Sequence, residues 1–298
     1  MSEFKITSIT NRDGSHGPQI CGIVTFTGSG LTLPNGTLAG PRGRGITGGG
    51  YPSYRNFLNK IEIATLGDAV DFGDITKELR GPSDGVSSST RGLFGGGLVA
   101  PNNASQTVIS YVVISSEGGA NDFGDLSRDR FMIKGHSNNT RGIFTGGYAV
   151  SPSVHTDTID FVNTASIGNA TDFGNISVSP PRSTFGSGSS PTRGVFGGGY
   201  YGAPGTDVAD IEFITFATQG NSETFGSLSA ARRNVGGVSS STRALFAGGN
   251  NGSGTSNNNT IDYVTIATTG NTTDFGDLIT AARTFSSGSN GHGGLVGG

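Results

Sequence analysis

Thr242-Arg-Ala-Leu-Phe-Ala-Gly-Gly249, a polar loop, Thr260-Ile-Asp-Tyr-Val-Thr-Ile-Ala-Thr268, Thr273-Asp-Phe-Gly-Asp-Leu278 and Ala282-Arg283 form a unit that recurs along the whole chain. Its Asp-Phe-Gly element places Phe at Phe72, Phe123, Phe173 and Phe275, with Thr-Phe-Gly at Phe225. Its opening arginine recurs as Arg91, Arg141, Arg193 and Arg243, and Arg44 opens a matching Gly45-Ile46-Thr47-Gly48-Gly49-Gly50. A fixed period near 50 residues is the signature of stacked supersecondary units. Full repeats fall at about 44–90, 91–140, 141–192, 193–242 and 243–292.

A sixth unit reads as split between the chain ends. Phe26 lies 18 residues before Arg44, as Phe123 lies 18 before Arg141 and Phe225 lies 18 before Arg243. Leu295-Val296-Gly297-Gly298 follows Leu245-Phe246-Ala247-Gly248 by 50 residues. Running from Phe275 off the end and back to Phe26 takes 49 residues, so the register closes on itself. A ring behaves this way, whereas an open solenoid carries atypical end caps. The whole chain, 1–298, is therefore expected to be one domain. Segment 1–43 completes the unit begun by 293–298, with residues around Ile20–Phe26 sharing a sheet with Gly294–Gly298.

Each unit supplies four short β-prone stretches bounded by Gly, Ser, Asn and Pro, the pattern of a four-stranded meander. No stretch carries a sustained 3.6-residue apolar stripe, so almost no helix is expected. A single such sheet cannot bury both faces, but stacked sheets can. The double glycines closing the second strand are expected where inner strands crowd backbone against backbone.

Composition agrees. Glycine accounts for 53 of 298 residues, and charged residues for 14%, against about 25% in an average domain. Disordered chains lack aromatics, whereas this one has 18 Phe and 7 Tyr among many β-branched residues. The formal charge of −3 gives no case for nucleic acid or an anionic membrane as partner. No apolar run approaches the ~20 residues of a membrane span, and the N-terminus does not read as a signal peptide. Cys21 is alone, which excludes an internal disulfide.

An arginine, a strand ending in Gly-Gly, a variable loop, a further strand and an aromatic followed by Leu: this pattern resembles the kelch repeat. It departs from that repeat in carrying Phe where kelch units carry Trp. The resemblance implies an all-β, six-bladed kelch-like β-propeller, closed by pairing of the N- and C-terminal segments. The Phe-Gly-Asp-Leu wording, with Phe4-Lys5-Ile6-Thr7-Ser8-Ile9-Thr10 leading to Gly22-Ile23-Val24-Thr25-Phe26, is also similar to repeat proteins of tailed-bacteriophage virions. That likeness implies a non-enzymatic structural or host-attachment component of tail, fibre or capsid surface. Its partners would be other virion proteins and a host surface glycan or protein, and its location the virion. A lectin-like propeller and an intracellular kelch interaction scaffold are the alternatives.

Catalytic signatures do not assemble. His16, His136, His155 and His292 have no metal-site spacing, so neither metal nor cofactor is expected. Gly43-Arg44-Gly45-Ile46-Thr47-Gly48 matches G-x-G-x-x-G by letter, but the Gly49-Gly50-Tyr51-Pro52 that follows cannot start the helix that fingerprint needs. Repeated charges read as architectural. An acid follows the first Ile of the third strand at Glu62, Asp160, Glu212 and Asp262, with Ser110 as the exception. The connection to the next unit carries Arg80, Arg130, Arg182, Arg232 and Arg283, whose forks suit carboxylates.

An up-and-down meander sorts its loops to two ends. One end repeats Thr-Arg turns at Arg91, Arg141, Arg193 and Arg243, which together with Arg44 make a ring expected to dock on a particle. The other varies from unit to unit and holds Tyr51, Tyr54, Tyr148, Tyr200 and Tyr201, expected to be free for recognition because Tyr gives amphipathic area at low entropy cost.

Overall fold

The computed structural model describes residues 25–27, 30–32, 44–50, 54–63, 66–80, 84–202, 205–252, 256–283 and 295–297. Every regular element among them is a β-strand. The chain divides into two compact units, Met1–Gly40 and Pro41–Gly298. In the first, β1 (Thr25–Thr27) and β2 (Gly30–Thr32) form an antiparallel hairpin with Phe26 opposite Leu31.

The second unit is a series of antiparallel meanders. The first contains β3 (Arg44–Gly48), β4 (Arg55–Glu62) and β5 (Val70–Arg80). The second has β6 (Gly85–Ser87), β7 (Arg91–Gly95), a short β8 (Leu98–Val99), β9 (Ala104–Val113) and β10 (Asn121–Arg130). The third has β11 (Lys134–Ser137), β12 (Arg141–Thr145), a hairpin of β13 (Tyr148–Ala149) and β14 (Val154–His155), then β15 (Thr158–Asn163) and β16 (Thr171–Asn175). The fourth repeats this with β17 (Gly186–Ser189), β18 (Arg193–Gly197), β19 (Tyr200–Tyr201), β20 (Thr206–Asp207), β21 (Asp210–Thr215) and β22 (Glu223–Ser227). The fifth has β23 (Gly236–Ser239), β24 (Arg243–Ala247), β25 (Asn250–Asn251), β26 (Ser256–Thr265) and β27 (Thr273–Ala282).

Registers match from one meander to the next. Arg91 faces Val113, Arg141 faces Asn163, Arg193 faces Thr215 and Arg243 faces Thr265. The C-terminal β28 (Leu295–Gly297) pairs in parallel with β3. The sheet that residues around Ile20–Phe26 are expected to share with Gly294–Gly298 falls largely outside the described residues. The strand takes the edge of β3 that corresponds to the one β6, β11, β17 and β23 occupy in the other meanders. Ile20–Val24 lie outside the described residues.

The apolar core lies between meanders rather than within them. Phe123 and Leu126 of the second meander pack with Phe144 and Val162 of the third. Phe173 and Ile176 pack likewise with Phe196, Ile214 and Phe216 of the fourth, and Phe225 and Leu228 with Phe246, Val264 and Ile266 of the fifth. Each Phe buried this way contributes about 2–3 kcal/mol.

Two glycine positions explain the repeat. At Gly124, φ is +142° and an added Cβ would lie 2.5 Å from the Gly168 carbonyl oxygen of the next meander. That approach lets Gly168 N–H donate to the Phe123 carbonyl at 2.8 Å. The Phe-Gly element is therefore a backbone joint. The double glycine has a different cause from the inner-strand crowding expected for it. Gly146 and Gly147 leave β12 at φ +61° and +110°, and Gly147 N–H donates to the Arg182 carbonyl at 3.1 Å. The crowding is against the connectors, Gly146 meeting the Arg182 carbonyl and Gly147 the Phe131 carbonyl.

Candidate functional site: the seams, the arginine ring and the hairpin face

The first strands of successive meanders meet through serines. Ser87 N–H donates to Ser137 Oγ at 3.2 Å, Ser137 N–H to Ser189 Oγ at 3.3 Å, and Ser189 N–H to Ser239 Oγ at 2.9 Å. One ladder thus links four consecutive meanders.

Three of the connector arginines, Arg130, Arg182 and Arg232, enter the following meander. Arg130 Nη2 lies 2.7 Å from Asp160 Oδ2, Arg182 Nη2 3.1 Å from Glu212 Oε1, and Arg232 Nη2 2.9 Å from Asp262 Oδ2, all fully buried. A serine three residues before each arginine donates its N–H to the same carboxylate: Ser127, Ser179 and Ser229. Desolvation pulls Arg130 down to about 10, against the opposing pull of Asp160, and leaves it cationic at neutral pH. Arg182 and Arg232 move the same way, burial first and their carboxylates opposing.

Glu62 does not belong to this set. It faces Arg44 at the strand end and pairs with its Nε at 2.7 Å. Asn59, opposite Thr47, holds the place that Asp160 holds opposite Phe144. The Ile-acid pattern matched by letter but was three residues out of register.

The arginine ring is engaged internally. Arg44 Nη1 donates to Ile114 O at 2.9 Å, Arg91 to Thr164 O at 3.0 Å and Arg193 to Ala267 O at 3.1 Å, and Arg141 bonds Phe216 O. Each acceptor belongs to the next meander. Arg91, Arg141, Arg193 and Arg243 also lie over the rings of Tyr111, Phe161, Phe213 and Tyr263 in their own meanders. Arg243 is the exposed member.

No protein-family model and no curated protein matches the chain.

At the opposite end, tyrosines tie hairpins together. Tyr54 Oη donates to Asn103 Oδ1 at 2.7 Å. Tyr148 packs edge-on against Phe131 and His155, and His155 against Tyr200 at 4.7 Å. Arg233 covers the other side of this chain of rings, 4.4 Å from the Tyr200 centroid, and pairs with Asp207. Asp207 Oδ2 in turn accepts Gly252 N–H at 2.7 Å. Tyr148 and Tyr200 thus have an internal task. Tyr201 is half-buried in the β19–β20 hairpin, and Tyr51 lies outside the described residues. His155, Asp207 and Arg233 were missed in the sequence because they recur in no other unit. Among the described residues no three His, Cys, Asp or Glu side chains come together as a metal site.

Proposed function

We propose that the chain is a closed six-bladed kelch-like propeller serving, without catalysis, as a virion-associated structural or host-attachment component of a tailed phage. The scaffold part rests on one observation: arginines, acids, serines and tyrosines that recur along the chain tie each meander to the next. Side chains used this way hold shape and leave the loop surface to vary.

Closure is supported by the two end meanders. Phe72, Phe123, Phe173 and Phe225 are 1–3% exposed, but Phe275 is 53% exposed. Val112, Val162, Ile214 and Val264 are likewise 1–3% exposed, whereas their counterpart Ile61 is 42% exposed. The fifth meander therefore presents one half of the repeated joint and the first presents the other. In this reading the sixth unit is the one the sequence splits between 1–43 and 293–298. The phage assignment rests on the similarity in wording to virion repeat proteins. Mass spectrometry of gradient-purified particles tests it: the protein should co-purify with capsid and tail proteins at fixed stoichiometry. Its exclusive recovery in the particle-free fraction would remove the virion reading and leave the scaffold reading standing.

A further inference from the structure

Both histidines among the described residues lie on one seam, between the third and fourth meanders. His136 sits on β11 opposite Ile143, in the position that Val86 and Val238 hold opposite Leu93 and Leu245. Its ring is fully buried against Phe196, centroids 5.6 Å apart. A Cβ on Gly194 would lie 2.9 Å from His136 Cγ, so a glycine in the fourth meander makes room for the imidazole. Neither ring nitrogen makes a well-formed hydrogen bond, although the Gly188 backbone faces the ring and favours its proton. On the β13–β14 hairpin, His155 touches Tyr200 across the same seam, with its Nδ1 buried and unpartnered.

We infer that this seam is an acid-sensitive joint, in which protonation of His136, backed by His155, parts the third meander from the fourth while the other described seams hold. Such a joint requires neither ring closure nor a place in a virion. A neutral imidazole can replace valine between packed sheets; an imidazolium there is a buried charge without a counterion. The charged groups around His136 do not supply one. Asp84, just before β6, favours the proton, but its carboxylate already holds Lys134 Nζ at 3.0 Å and Ser187 Oγ at 3.2 Å. Lys134, on the same strand, opposes it. From the connector that leaves the third meander, Arg182 approaches Phe196 but is paired with Glu212. Beside His155 stands Arg233, a like charge to any imidazolium.

Burial holds His136 down to about 4 from an ordinary 6.5, and His155 shifts in the same direction, again through burial first and Arg233 second. The closed seam is therefore fully favoured above about pH 6.5, and loses stability as the pH falls towards 4, where the closed form at last accepts the proton. At pH 5 an opening that releases His136 becomes about thirtyfold more populated than at pH 7.5.

Hydrogen–deuterium exchange on the full chain at pH 7.5 and 5.0, corrected for intrinsic rates, reads this directly. Amides of Lys134–Ser137 and Gly186–Ser189 should gain about thirtyfold in opening at pH 5, and those of Arg91–Gly95 much less. In a His136→Val, His155→Phe double variant the difference should vanish. An acid response equal at all seams, or one kept by the double variant, overturns the inference. So does an NMR titration of wild type that finds the His136 ring at or above 6.5, a measurement that does not require the variant to fold.

Discussion

Arg182 of the third meander and Glu212 of the fourth form an ion pair of 3.1 Å across a seam, with neither side chain reaching solvent. The carboxylate also accepts the N–H groups of Val178 and Ser179 and the hydroxyl of Ser222. A carboxylate so enclosed fixes the register of two sheets, because a slip of one residue would strand both charges.

Removing one partner should therefore be severe. Glu212→Gln should cost about 3–5 kcal/mol in urea unfolding, against within about 0.5 kcal/mol for Gln at exposed Glu223. Replacing Arg182 and Glu212 together by Met and Leu should recover most of the loss. A double variant as unstable as the single would show that packing, not the orphaned charge, sets the cost.

A glycine comparison reads the state of the last joint. Gly124→Ala combines an unfavourable φ with a 2.5 Å clash against the next meander. Gly276 has the same kind of φ, +134°, but nothing described lies within 4 Å of its added Cβ. If a sixth meander fills that place, Gly276→Ala should destabilise as much as Gly124→Ala. If the fifth meander ends the array, it should cost only backbone strain, about 1–2 kcal/mol.

Removing Gly293–Gly298 deletes β28 and bares the edge of β3. The melting temperature should fall by about 5 °C or more, since each kcal/mol is worth about 2–4 °C in a domain of this size class. An unchanged melting curve would mean that the parallel pairing carries no stability.

The ring arginines should act as internal fasteners. Arg141→Leu loses a bond to Phe216 O and a contact with Phe161, and should cost about 1–2 kcal/mol. Arg243→Leu, exposed on Tyr263, should cost less. If Arg243→Leu leaves stability intact yet abolishes incorporation into particles, the docking role returns through that residue.

The meanders were legible in the sequence because their period is long and their markers are few in kind: Phe-Gly, Gly-Gly and Thr-Arg. The pairing of Arg182 with Glu212 was legible too, because a repeated acid beside a repeated arginine has few other uses in a sheet protein. What could not be read was register within a strand, as Glu62 and Asn59 show. Neighbouring positions on a strand differ by which face they meet, and letters alone do not reveal the face. The contacts of the hairpin end were not legible for another reason. Variation among loops looked like freedom, but Tyr148, His155, Tyr200 and Arg233 vary because each seam is fastened there by a different set of contacts.

The serine ladder has a consequence for how such a chain can change over generations. In every rung the N–H belongs to the earlier meander and the hydroxyl to the later one, and the arginine-to-carbonyl and arginine-to-carboxylate contacts run the same way. The joint is polar and each module carries one plug and one socket. An in-frame duplication of about 50 residues would therefore bring both fittings with it and mate with its neighbours unaltered. Such a gene can lengthen or shorten by whole modules through recombination between its own repeats, altering the number of meanders while leaving the existing joints untouched.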